Sequence, residues 1–244
     1  MNYLAGSIYH MVHFANLPQI FQRRAILSKE KVIQEGISYQ SIAYANVQSL
    51  RDRIFIWAFF ERRFRSLHSY VPFYFATHTP MLYVQYRNGI QGEIVIFEVD
   101  RSILRDQGII FTDGNASNQQ LSRFTGETVE IIPATISRNS CRRRYQPRGR
   151  PGGTNPNRSD FYADIMFLDR LNWNIINGRN FTEDEEKRIK HAEVLIPDLL
   201  PLEKVQGVYV CTREKMQAIN GLIAEYGLAG RIPFAVFKPG LFFQ

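Results

Sequence analysis

Residues 69–83 read SYVPFYFATHTPMLY. Tyr70, Phe73, Tyr74, Phe75 and Tyr83 crowd into this stretch, inside an uncharged run from Ser66 to Tyr86 that Arg65 and Arg87 bound. The run is long enough to raise the question of a membrane span, but its content argues against one. Pro72 and Pro80 break it, and Ser69, Thr77, His78, Thr79 and Gln85 are too polar for hydrocarbon. The stretch is therefore read as buried within a protein, or as facing something flat and aromatic.

The neighbouring segments decide between fold classes. On one side SIYHMVHF (7–14) reads as a strand, and Asn16 is placed to cap a short helix, LPQIFQRR, with proline near its first turn. Ser28 opens another polar segment, and residues 47–65 mix apolar residues with arginines and fit either helix or strand. On the other side EIVIFEV (93–99) is a β-branched strand. RSILRDQ reads as a short helix, and GIIFTDG as a strand running into an Asp113-Gly114 turn. In DFYADIMFLDRL the apolar residues Phe161, Ile165 and Leu168 have helical spacing. Thr182 and Glu185 in FTEDEEKRIK form a capping-box pattern, with acids at 183–186 and bases at 187, 188 and 190 matching the helix dipole. AEVLIP, VQGVYV and PFAVF are strands, and a last helix runs from about Arg213 to Tyr226. No repeat or heptad pattern is present. Strands and helices alternate irregularly, which gives an α+β fold with antiparallel or mixed sheets.

The 244 residues fit one large domain or two small ones, and a hydrophobic content of 45% supports a real core. The chain holds 30 basic and 23 acidic residues, and the segment 138–158, RNSCRRRYQPRGRPGGTNPNR, holds seven arginines and no acid. That segment accounts for the whole net charge of +7. Rich also in Pro, Gly and Asn, it reads as a loop that contacts polyanions, or as a solvated insertion. Residues 1–24 contain no continuous apolar segment, so no signal peptide is expected. Cys141 and Cys211 have no metal or redox spacing, and a cytoplasmic location is expected.

Few residues are candidates for chemistry. Glu193 is the sole charge in AEVLIP. It is either a functional carboxylate, an edge glutamate facing solvent, or the partner of an arginine. Arg51 and Arg53 flank Asp52, ordinarily a surface salt bridge. His13 ends the first strand, where a structural histidine is the common case. No metal-ligand spacing and no glycine-rich phosphate loop is present, so neither a catalytic metal nor Rossmann-type dinucleotide binding is expected.

Taken in order, several blocks resemble the DarT-type DNA ADP-ribosyltransferase toxins. HMVHFANLPQI is similar to the family's N-terminal histidine and Asn-Leu segment. SIAYANVQSLRDR looks like the segment with its functional arginine, and SYVPFYFATHTPMLY resembles its most distinctive stretch. FTDGNAS and FYADIMFLDRLNW resemble later blocks. HAEVLIPDLLPLEKVQGVYV resembles the segment with the catalytic glutamate. The resemblance covers about residues 9 to 211.

It implies a single ADP-ribosyltransferase-like domain over 1–244, with two small splayed β-sheets around an NAD cleft and flanking helices. It implies transfer of ADP-ribose from NAD onto a base, thymine or guanine, of single-stranded DNA. It also implies a toxin–antitoxin setting with a macrodomain antitoxin. Carried onto this chain, Glu193 and Arg51 become catalytic. Arg51 also contacts NAD, and is preferred to Arg53. His13 and Asn16 hold the nicotinamide-side ribose or amide, and Tyr70 or Tyr74 stacks on nicotinamide. Arg142, Arg143, Arg144, Arg148 and Arg150 would bind DNA. No metal and no membrane partner is implied. The length and basicity of the arginine segment depart from the family, which leaves the target base, and DNA against RNA, open. The rival readings are a non-catalytic single-stranded nucleic-acid binder, a related transferase acting on RNA or protein, and a metal-dependent nuclease.

Overall fold

The computed structural model describes residues 3–119, 128–135 and 158–244. In chain order the elements begin with β1 (Ser7–His13), α1 (Leu17–Arg23), β2 (Ala25–Leu27), α2 (Lys29–Gln34) and α3 (Ala45–Arg51). Next come β3 (Ile54–Ala58), β4 (Arg63–Ser66), β5 (Tyr70–Tyr74), α4 (Pro80–Arg87) and β6 (Ile94–Asp100). They continue with β7 (Ile110–Thr112), β8 (Val129–Ile131), β9 (Phe161–Tyr162), α5 (Trp173–Asn177) and α6 (Asp184–Lys190). The last are β10 (Glu193–Pro197), β11 (Leu199–Pro201), β12 (Val205–Val210), α7 (Arg213–Glu225) and β13 (Ala235–Phe237).

The described strands form one eight-stranded sheet in the order β13-β12-β6-β1-β5-β10-β7-β9, a three-stranded sheet β4-β3-β8, and a β11-β2 pair. Among these strands only β12–β13 and β3–β8 pair in parallel. The large sheet has two halves. β1 pairs with β6 over seven residues, and β5 with β10 over five. Between the halves, β1 and β5 share the single pair Tyr9↔Tyr74.

Pro72 explains the opening. Within a strand, the N–H and C=O of one residue point to the same side, and the Pro72 carbonyl faces His10 on β1. On that side proline has no N–H to give. Its carbonyl takes Nδ1–H of His10 instead, at 2.7 Å. The ladder cannot extend past Tyr74, and the two halves part there.

The aromatic stretch of the sequence is thus a strand, a short linker and a helix. Val71 and Phe73 point into the main core with Phe75, Phe97, Phe111 and Val194. Tyr70 points into a second cluster with Ile54, Ile56, Leu67 and Leu195, between the large sheet and the three-stranded one. β10 is buried on both faces, which is why EVLIP reads as a continuous apolar run rather than an alternating one. Thr79 starts α4, its hydroxyl accepting from Leu82 N–H at 3.2 Å, with Pro80 in the first turn.

Some local expectations change. Phe161 lies in β9 rather than a helix, and residues 165–170 form a 3-10 turn. Phe161 and Ile165 serve different clusters, so their helical spacing is coincidental. The capping box of α6 is Glu183 with Glu186, one residue on from the expected pair. Asn16 precedes α1 but makes no side-chain cap. The arginine-rich segment lies outside the described residues except for Arg158, which bridges Gln119.

Candidate active site

Glu193 is the first residue of β10 and is 2% exposed. Its N–H donates to Thr112 Oγ1 at 3.0 Å, and the Thr112 hydroxyl donates to Gly114 O at 2.6 Å. Thr112 therefore clips the Asp113-Gly114-Asn115 turn to the start of β10. That turn aims Ala116 N–H at Glu193 Oε1, 3.1 Å away. Gly114 is needed for close approach, because a Cβ there would run into the Arg188 guanidinium and Ser159.

Arg51 supplies the counter-charge. It ends α3, is buried, and lies 142 residues from Glu193 in sequence. Its Nη1 donates to both carboxylate oxygens, at 3.2 and 3.0 Å. The expected surface triplet Arg51-Asp52-Arg53 is therefore split. Arg51 turns inward, whereas Asp52 meets His68 Nε2 at 2.7 Å and Lys29 at 3.6 Å. Burial, with the charges of Arg51 and Lys29, pushes His68 down to about 4. The solvent-facing reading of Glu193 is overturned, and the arginine-paired one is what the structure contains. A buried ion pair repays its desolvation only when well hydrogen-bonded, as this carboxylate is.

The pair borders a cavity of about 250 Å³, located where β1 and β5 part. Tyr74, His191, Asn115 and Met81 share its wall. Tyr74 stands opposite Glu193 in the β5–β10 register, and its hydroxyl lies 3.7 Å from Met81 Sδ. Burial and then the Glu193 charge push its phenol pKa upward. A second chamber of about 190 Å³ shares His10, Met11, Pro72 and Gln48 with the first. His13 and Asn16 line this second chamber. His13 Nδ1 accepts from Ala15 N–H at 3.1 Å. The Asn16 side chain clamps Gln40, accepting from its N–H at 2.7 Å and donating to its carbonyl at 2.9 Å.

The structure thus brings Glu193, Arg51 and Tyr74 to one chamber, with His13 and Asn16 at its neighbour. Tyr70 borders neither. It is 2% exposed, lies 5.3 Å from the Arg65 guanidinium, and burial pushes it up to about 12. Arg142, Arg143, Arg144, Arg148 and Arg150 lie outside the described residues.

Three wall residues escaped the sequence reading. His10 is held by Pro72 and pushed down to about 4 by burial, so it is neutral. Gln48 has a buried Oε1 without a partner among the described residues, an acceptor left for a ligand donor. His191 is the C-cap of α6, two residues before Glu193, and lines the same chamber. That nearness in sequence was the available signal. Among the described residues no group of three or more His, Cys, Asp or Glu side chains is placed to hold a metal ion. No described helix is long and apolar enough to cross a membrane.

An aromatic ring beside a buried, hydrogen-bonded carboxylate suits a reaction in which positive charge develops on a sugar. Comparison with known proteins agrees. The family model described as "ssDNA thymidine ADP-ribosyltransferase, DarT" matches residues 9–146 and 153–243. A DNA ADP-ribosyl transferase of Thermus aquaticus is 24% identical over 226 residues, covering 90% of this chain and 81% of its own. A DNA ADP-ribosyl transferase-DNA ADP-ribosyl glycohydrolase fusion protein of Thermosipho africanus is 27% identical over 131 residues, 53% of this chain and 32% of its own. Thermus sp. 2.9 DarT in complex with ADP-ribosylated ssDNA superposes with a TM-score of 0.72 at 21% identity, covering 97% of this chain and 96% of that one. The same protein in complex with NAD+ gives a TM-score of 0.68. At that identity, the likeness to the Thermus structures establishes a shared fold.

Proposed function

The chain belongs to the DarT family of single-stranded-DNA thymidine ADP-ribosyltransferases, and from that premise we propose that it transfers ADP-ribose from NAD onto thymine in single-stranded DNA, with Glu193 as the catalytic carboxylate. The observation that carries the residue assignment is the Glu193–Arg51 pair at the wall of the chamber where β1 and β5 part.

In this reading NAD is a co-substrate that spans the two chambers. Its reacting ribose and nicotinamide lie beside Glu193 and Tyr74. His13 and the Asn16-clamped loop hold the part beyond. The bond between the ribose C1′ and nicotinamide breaks with its electron pair leaving on nicotinamide, and the sugar becomes oxocarbenium-like. The Glu193 carboxylate stabilises that charge and bonds the 2′-hydroxyl. Arg51 and Ala116 N–H hold the carboxylate in one orientation, so no reorganisation is needed at the moment of bond cleavage. Tyr74 stacks on the nicotinamide ring. The thymine nitrogen attacks C1′ and loses its proton. Arg142, Arg143, Arg144, Arg148 and Arg150 contact DNA phosphates.

Residues 1–244 act as one domain, in the cytoplasm, where NAD and single-stranded DNA coexist. The Thermosipho fusion of a transferase with a glycohydrolase supports a toxin–antitoxin pairing, here with a macrodomain that removes the modification. The test is a panel of single-stranded oligonucleotides, each lacking one of the four bases, incubated with protein and NAD and resolved on denaturing gels. Every oligonucleotide except the thymine-free one should shift. A shift of the thymine-free strand together with loss from the guanine-free strand would move the target to guanine.

A further inference from the structure

His191 is used by none of the steps above, yet it borders the reaction chamber beside Glu193. Its position is fixed from three sides. It caps the C-terminal end of α6, whose preceding residue Lys190 is buried and donates from Nζ to the carbonyls of Ile176 and Gly178. Its ring lies 6.1 Å from that of Tyr74. Its Nδ1 lies 2.9 Å from Lys187 O. A carbonyl only accepts, so Nδ1 carries the proton and Nε2 is left as a lone-pair acceptor. No partner for Nε2 is present among the described residues.

The reaction requires such a group. Thymine in a DNA strand has one ring N–H, at N3. Forming the N3–C1′ bond while the C1′–nicotinamide bond breaks requires that proton to go elsewhere. Glu193 is poorly placed to take it, because its oxygens already accept from Arg51 and from Ala116 N–H. We infer that His191 is the catalytic base: Nε2 takes the N3 proton as N3 bonds to C1′, and the nearby Glu193 carboxylate offsets the imidazolium charge. Burial lowers the imidazole pKa from its ordinary value, which keeps it neutral and ready to accept. The charged and titratable groups around it are Glu193, Lys190 and the Tyr74 phenol. This inference rests on the transferase reading with thymine as target.

The test compares His191→Asn with the wild type on two oligonucleotides, one carrying thymine and one carrying 5-fluorouracil at the same position. Asparagine keeps an amide donor for Lys187 O and removes the Nε2 acceptor together with the ring that faces Tyr74. The N3–H of 5-fluorouracil is more acidic and needs less help. Single-turnover transfer to thymine should fall about a hundredfold, the loss on 5-fluorouracil should be under about tenfold, and the Kd for NAD should stay within about threefold of wild type. Equal losses on the two bases would overturn the inference, because a merely structural role does not sense acceptor acidity. So would transfer to thymine within about threefold of wild type. If His191→Asn fails to fold, His191→Gln is read on the same two strands by the same criteria. A wild-type protein that modifies no thymine would instead overturn the reading on which the inference rests.

Discussion

At the scale of single residues, the buried pair of Arg51 and Glu193 ties function to stability. Removing one partner leaves a buried charge alone, which costs about 3–5 kcal/mol. Arg51→Met should therefore unfold at markedly lower urea than wild type, and Arg51→Met with Glu193→Gln should recover a large part of that loss. Additive losses in the double variant would mean the two side chains are energetically independent. The pairing was only partly legible in sequence. AEVLIP marks Glu193 as an expensive charge, but nothing local says its partner is 142 residues away. His10 makes a second residue-scale prediction. Its folded pKa of about 4 lies below the ordinary 6.5 because of burial. The unfolded chain thus binds the extra proton first, and the associated stability is intact above pH 6.5 and lost as pH falls toward 4. The loss between pH 7 and 4.5 is on the order of 2–3 kcal/mol from this residue. Urea unfolding at both values should show His10→Gln losing less than wild type on acidification. Equal losses would place the acid sensitivity elsewhere, His68 being the next group to consider.

At the scale of elements, Pro72 decides the shape of the cleft. Proline inside a central strand read from sequence as a break in a hydrophobic run, and the structure puts it where the β1–β5 ladder stops. Pro72→Val restores the missing N–H toward β1. It should let the strands pair further, raise Tm and weaken NAD binding by at least about tenfold as the chambers narrow. Unchanged affinity for NAD, measured by calorimetry, would mean the opening is held by other interactions. The strands β1, β6, β10 and β12 were legible because burial on one or both faces writes β-branched runs into the sequence. The short pieces were not. β9 has two residues and the turn at 165–170 is 3-10, so neither is long enough to impose a period on its sequence. Tyr70 and Tyr74 were equivalent in sequence, since both face away from the main core. Only the packing of the three-stranded sheet over Tyr70, and its absence over Tyr74, separates them.

At the scale of the whole molecule, charge and cleft divide the work. The net charge of +7 is carried by the arginine segment, while the chamber holds a neutralised pair. Replacing Arg142, Arg143, Arg144, Arg148 and Arg150 by alanine should weaken single-stranded DNA binding and flatten its dependence on salt, by about 0.7 in log–log slope for each phosphate no longer neutralised. NAD affinity should be unaffected. A slope equal to that of wild type would assign the segment to another partner. The central claim concerns Glu193. Its direct test is mass spectrometry of mixed-sequence single-stranded DNA after incubation with NAD and either wild-type protein or Glu193→Ala. Wild type should add one ADP-ribose to thymine, and the variant, folded and still binding NAD, should add none. An adduct formed by Glu193→Ala at the wild-type rate would contradict that claim.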